Sequence, residues 1–141
     1  MKNRPLLILF AAVLMAIAVA YAYFRWNQAP ESLAQKDPDF QIKANTLLEE
    51  FQSNNAKAQP LYLNRILEIE GRCESIENQG DSLFFVYIGS HNGASVLCQL
   101  EKGLDPLPPV GQNLRCKGLC TGYDDLTGGA SMDRCVLVNF P

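Results

Sequence analysis

The sequence predicts a mainly β domain, a small five-stranded barrel preceded by an amphipathic helix, together with one amino-terminal transmembrane helix. Three observations predict it. An uncharged apolar run opens the chain, apolar residues then recur at helical spacing over one short stretch, and from Leu61 the period changes to strand-like alternation bounded by turn residues. The 141 residues, 48% of them apolar, suffice for one ordinary domain and an appendage but not for two independent cores.

Pro5 to Phe24 reads PLLILFAAVLMAIAVAYAYF without a charge. As a helix rising 1.5 Å per residue it would be about 30 Å long, the thickness of a bilayer's hydrocarbon core. Its ten Leu, Ile, Phe and Val residues favour insertion by about 3 to 6 kcal/mol together. Tyr21, Tyr23, Phe24 and Trp26 cluster where an aromatic belt would meet the interface. The competing reading is a cleaved secretory signal, with Lys2 and Arg4 as its basic region and Ala18-Val19-Ala20 or Ala20-Tyr21-Ala22 as a small-residue cleavage site. The run exceeds the usual signal length, and a signal anchor over residues 1–26 is expected. Lys2, Arg4 and the terminal amine outweigh Arg25, so the positive-inside bias places the amino terminus in the cytoplasm and the domain outside it.

Residues 27–37 (NQAPESLAQKD) are polar and aperiodic and read as a tether. The domain then occupies 38–141. From Pro38 to about Asn54, Phe40, Ala44, Leu47, Leu48 and Phe51 fall on one helical stripe, with Asp37 placed to cap it and Pro38 in its first turn. Ser53-Asn54-Asn55 breaks that pattern. Leu67, Ile69, Gly71 and Cys73 share one parity in a first strand, and Asn78-Gln79-Gly80-Asp81 makes a turn. Leu83–Ile88 and Ser95–Leu100 follow as strands joined through Ser90-His91-Asn92-Gly93. The stretch from Lys102 to Gln112 holds three prolines and two glycines, which excludes a regular helix there. Asn113–Cys120 and residues 132–140 supply the last two strands.

The order of residues carries a resemblance. A helix ending LLEEFQSNNAKA, then YLNRILEIEGRCESI, VLCQL, PPVGQNLRCKGLCTGY and CVLVNF resembles the tRNA_anti-like family of OB-fold proteins, from about Phe40 to Phe140. The combination of Glu70-Gly71, Val110-Gly111-Gln112, Lys117-Gly118 and Cys120-Thr121-Gly122-Tyr123 carries the likeness. The resemblance implies an OB barrel, often following a signal or anchor, and transfers no catalytic residue; the family name records a likeness of fold. The OB architecture implies a binding surface on strands two and three beside the loops joining strands one to two and four to five. Here that surface would hold Phe84, Phe85, Tyr87, residues 78–81 and the loop 123–131 with Tyr123, Asp124 and Asp125.

Charge narrows the partners. Without Lys2, Arg4 and Arg25 the chain keeps nine basic against fifteen acidic side chains, a balance that argues against nucleic acid. An envelope protein, a peptide or a small ligand is the expected partner, beside the membrane itself through residues 5–24. Single-stranded nucleic acid or oligosaccharide is the alternative, should Arg65, Arg72, Arg115 and Lys117 share a face. The anchored OB-fold haem chaperone of cytochrome maturation is similar in plan, but this chain has no histidine near its carboxyl end to attach haem.

No enzyme, cofactor or metal is expected. His91, the only histidine, stands in a loop without ligand spacing or any link to a thiol, and Glu68, Glu70 and Glu74 read as a solvated strand face. Five cysteines in an extracytoplasmic domain are disulfide candidates with an odd one over. Cys116 and Cys120 lie about 13 Å apart along one strand, too far to pair. The preferred bridge is Cys120 to Cys135, flanking the loop between the last two strands, with Cys73 to Cys116 as a weaker one and a buried free thiol as the alternative for each.

Overall fold

The computed structural model describes residues 3–28, 32–100 and 106–138. It divides into two units, 1–31 and 32–141. In the first, α1 (Arg4–Trp26) is a 23-residue helix of mean hydropathy 2.5, none of it buried, long and apolar enough to cross a membrane. Pro5 stands in its first turn, where a missing N–H costs nothing.

The second unit is built from β1 (Phe40–Lys43), α2 (Ala44–Ser53), α3 (Asn55–Tyr62), β2 (Ile66–Asn78), β3 (Phe84–His91), β4 (Ala94–Leu100), β5 (Asn113–Asp124) and β6 (Gly129–Leu137). Strands β2 to β6 close into a barrel: β2–β3, β3–β4, β5–β6 and β2–β5 are antiparallel and β4–β6 is parallel. That is the five-stranded OB plan, with β1 added in parallel to the outer edge of β2. Alternation carries the core. Leu67, Ile69 and Cys73 of β2, Phe84, Val86 and Ile88 of β3, Val96, Cys98 and Leu100 of β4, and Leu114, Cys116 and Cys120 of β5 all point inward. Asn92 and Gly93 both take positive φ, 52° and 80°, and turn the β3–β4 hairpin as an Asn-Gly pair does.

Several boundaries differ from expectation. The expected helix from Pro38 begins only at Ala44; Asp39 instead donates its N–H to the Ile66 carbonyl and accepts from the Ile66 N–H, which aligns Phe40–Lys43 with β2 as a strand. Asp37 therefore does not cap α2, whose N-cap position is Lys43 without a side-chain bond. Ala44, Leu47, Leu48 and Phe51 do form its buried stripe. The Ser53-Asn54-Asn55 break is a corner into α3, where the Asn54 Oδ1 accepts from the Lys57 N–H at 3.2 Å. The tether is not wholly free, since Leu33–Gln35 form a 3-10 turn with Leu33 buried. Residues 101–105 and 139–141 of the expected crossover and last strand lie outside the described residues.

One irregularity decides what the interior contains. In β6, Ala130 and Met132 face inward, and regular alternation would place Arg134 inward next. The β5 register runs from Leu119↔Asp133 to Lys117↔Val136, and the β4 register from Cys98↔Met132 to Leu100↔Cys135, so β6 carries one extra residue against both neighbours. This is a bulge, with Arg134 at a φ of 50°. It turns Cys135 into the barrel.

Candidate functional site

The outer face of β3 and β4 carries only part of the expected set. Phe85 and Tyr87 are half-buried on the outside of β3, Phe85 between Glu77 and Gln99 and Tyr87 between Ser75 and Leu97. The Tyr87 hydroxyl donates to the Glu77 carboxylate at 3.3 Å. Desolvation first, and the Glu77 charge second, raise its pKa. The concavity beside it measures about 330 Å³ and is lined by Tyr87, Ser95, Leu97, Asp124, Thr127 and Ser131 among others, with no cation.

Tyr123, Asp124 and Asp125 engage three different sets of partners. Tyr123 stacks on Phe51 of α2, centroids 4.8 Å apart and planes 7° apart. Asp124 accepts from the Leu126 N–H and the Thr127 hydroxyl, both at 2.9 Å, and the Leu126 bond above all holds its carboxyl below the usual range. Asp125 accepts from Asn55 at 2.8 Å. The expected loop 123–131 is a four-residue turn, 125–128, fixed from α2 by the Gln52 amide, which donates to the Gly128 and His91 carbonyls at 3.1 and 3.2 Å. Gln52 and Asn55 carry no catalytic or motif signal, and only the topology reveals that they hold this end of the barrel. The turn 79–83 lies at the start of β3 and the 125–128 turn near its finish, so the two flank the face from opposite ends.

Arg72, Arg115 and Lys117 share one face, where Glu68 and Glu70 alternate with them, and Arg65 precedes β2. On the outer face of β2 and β5, Glu68 is opposite Lys117, Glu70 opposite Arg115 and Arg72 opposite Asn113. Arg115 sits 3.6 Å from Glu68 and 3.5 Å from Glu70. Lys117, only 8% exposed, donates to the carbonyls of Ala34 and Lys36 at 2.9 and 2.7 Å and so anchors the 3-10 turn. A second concavity, about 340 Å³ near Lys43, Glu70, Arg72 and Glu74, mixes both signs of charge.

All five cysteines are buried and free. The expected Cys120–Cys135 bridge is therefore corrected: Cys120 stands opposite Met132, and the β6 bulge carries Cys135 away from it. The weaker pairing fails as well, because Cys116 stands opposite Ile69, four residues from Cys73. Instead the sulfurs of Cys98, Cys116 and Cys135 lie within 4.8 Å of one another inside the barrel. Along-strand spacing could not reveal this group, since its members come from three strands and one enters by a bulge. Hydrogen bonds with Cys135 first and Cys98 second lower the Cys116 pKa, while contact with Cys116 above all holds those of Cys98 and Cys135 up. Burial pushes Cys120 up to about 11.

Comparison with known proteins agrees with the barrel. A lipoprotein from Klebsiella pneumoniae, named as a candidate nucleic acid-binding protein, superposes with a TM-score of 0.56 at 16% identity, over 80% of this chain and 100% of its own. An asparaginyl-tRNA synthetase from Entamoeba histolytica gives 0.40 at 14% identity, over 53% of this chain and 21% of its own. A candidate aspartyl-tRNA synthetase from Leishmania major gives 0.45 at 9%, over 79% and 22%. No curated protein matches the chain in sequence. The tRNA_anti-like family model matches residues 1–128, from the apolar helix to the turn before β6, and the chain belongs to that family.

Proposed function

We propose that this chain is a membrane-anchored, non-enzymatic OB-fold module, its domain on the extracytoplasmic side, that binds a peptide segment or small uncharged or cationic ligand on the β3–β4–β6 face. The observation that carries this reading is the concavity beside Tyr87: it lies on the surface OB barrels use, offers an aromatic ring, Leu97 and hydroxyls, and has Asp124 but no cation in its lining. Two of the four basic side chains that would draw a phosphate backbone are committed elsewhere, Arg115 to Glu68 and Glu70 and Lys117 to two backbone carbonyls. The second reading, single-stranded nucleic acid, is favoured by the name given to the Klebsiella pneumoniae lipoprotein.

Fluorescence anisotropy separates the two. The full chain in detergent is titrated with a labelled Gly/Ser/Lys/Leu peptide library and with labelled oligothymidine, at low and at moderate salt. Peptide members should bind the wild type and lose about fivefold or more in Tyr87→Ala, since a central aromatic anchor is worth over 1 kcal/mol. Tight oligothymidine binding that collapses with added salt would reverse the assignment.

A further inference from the structure

We infer that Cys98, Cys116 and Cys135 form a closed three-thiolate site for a soft metal ion, Cu(I), inside the barrel. This site is separate from the ligand face and does not rest on that reading. The three sulfurs lie within 4.8 Å of one another, and each cysteine is at most 1% exposed. Metal–thiolate bonds of about 2.3 Å in a planar trigonal set put sulfurs about 4.0 Å apart, so each sulfur need move inward by under about 0.5 Å. A rotamer adjustment supplies that without moving a strand.

Two features of the backbone serve this convergence and are otherwise unexplained. The β6 bulge, with Arg134 at a φ of 50°, turns Cys135 inward where alternation would turn it out. A non-glycine residue in that region carries a cost of about 1 kcal/mol or more. Opposite it, a Cβ on Gly118 would lie 2.5 Å from the Cys135 sulfur and 3.1 Å from the Asp133 carbonyl, so only glycine leaves the sulfur its place. The Cys135 thiol also makes one long hydrogen bond out of the cluster, 3.8 Å to the Asp133 carbonyl.

Ligand type and number select the ion. Thiolates favour Cu(I), zinc and iron–sulfur clusters. Structural zinc takes four ligands in a tetrahedron, and among the described residues no fourth cysteine, histidine or carboxylate joins the three sulfurs. Cu(I), for which three sulfurs suffice, fits this donor set. On binding, the ligating thiols release their protons to solvent and no electrons are exchanged. The ion would join β4, β5 and β6, including the parallel β4–β6 seam that closes the barrel.

The experiment is X-ray absorption and competitive chelator titration of the reduced, full-length protein in detergent, with Cu(I) as the probe and no oxygen. One ion per chain with three sulfur neighbours at about 2.3 Å is expected. Cys116→Ala should bind at least about 100-fold more weakly, since one of three ligands carries several kcal/mol of a structural site's affinity, whereas Cys73→Ala and Cys120→Ala should match the wild type. Wild-type protein that takes up no Cu(I), or binds it through two sulfurs or through oxygen and nitrogen, overturns the site without recourse to any variant. Equal loss in Cys120→Ala, or none in Cys116→Ala, overturns it as well.

Discussion

Gly71 and Gly89 show how single residues let the helix meet the barrel. A Cβ on Gly71 would lie 2.9 Å from the Ile88 side chain and 3.0 Å from the Ala44 Cβ; one on Gly89, at a φ of 73°, would lie 2.6 Å from the same Ala44 Cβ. Gly71→Ala should therefore destabilise the domain by about 2 kcal/mol through overpacking. Adding Ala44→Gly, which removes one of the two colliding groups, should return part of that loss. Urea unfolding of both single variants and the double variant measures the coupling. A neutral Gly71→Ala, or strict additivity, would show that the backbones move apart at no cost. The parity of Gly71 with Leu67, Ile69 and Cys73 was legible, and a glycine among inward apolar residues marks a place where another backbone can come close. Its partner, Ala44, was not, since which residue of a helix meets a given strand depends on contacts distant in sequence. The inward turn of Cys135 was hidden for a related reason: a bulge changes the parity of every residue after it, and Met132-Asp133-Arg134-Cys135 contains no glycine to announce one.

At the scale of elements, strands β2 to β5 follow alternation and were legible, whereas the segment between α1 and β2 was not. Phe40 fits the helical stripe through Ala44 and equally a strand's alternation with Ile42, and pairing with β2 decides for the strand. Helix α3 carries Asn55 and Pro60, both breakers, and is held by its neighbours instead: Tyr62 packs between Phe40 and Phe51, and its hydroxyl donates to the Glu50 carboxylate of α2. Burial first, then the Glu50 hydrogen bond and charge, push the Tyr62 pKa from 10.0 up to about 12. The folded state thus keeps the phenol proton that the unfolded state releases. The contribution is fully present below pH 10 and is lost as pH rises towards 12, because there the unfolded state binds fewer protons. Chemical denaturation across that window should show stability falling more steeply in the wild type than in Tyr62→Phe. Parallel slopes would mean that the hydroxyl is solvated in the folded state.

The whole molecule joins an apolar helix that buries nothing to a domain that has its own core and an acidic balance. That arrangement was the most legible feature of the sequence, since twenty uncharged residues at the chain's start need no tertiary context to be read. The domain's role was less legible, because the fold supplies a place for a ligand and leaves its chemistry to a few side chains. An anchor and a cleaved signal share hydropathy and differ in whether the helix persists. An anchored chain should stay in the membrane fraction through high-salt and alkaline-carbonate washes, which strip proteins held by charge but not by a spanning helix. A chain beginning at Ser32 should fractionate as a soluble protein with the same near-ultraviolet circular dichroism, because its core residues all lie beyond the first unit. Mass spectrometry of the membrane form should then find Met1 or Lys2 at the amino terminus, with the domain open to protease added from the extracytoplasmic side. Release of a form starting near Tyr21 or Tyr23 would identify the helix as a signal and the domain as a free binding protein. Retention with protection from that protease would place the domain in the cytoplasm, where nucleic acid is abundant and the charge argument must meet its strongest test.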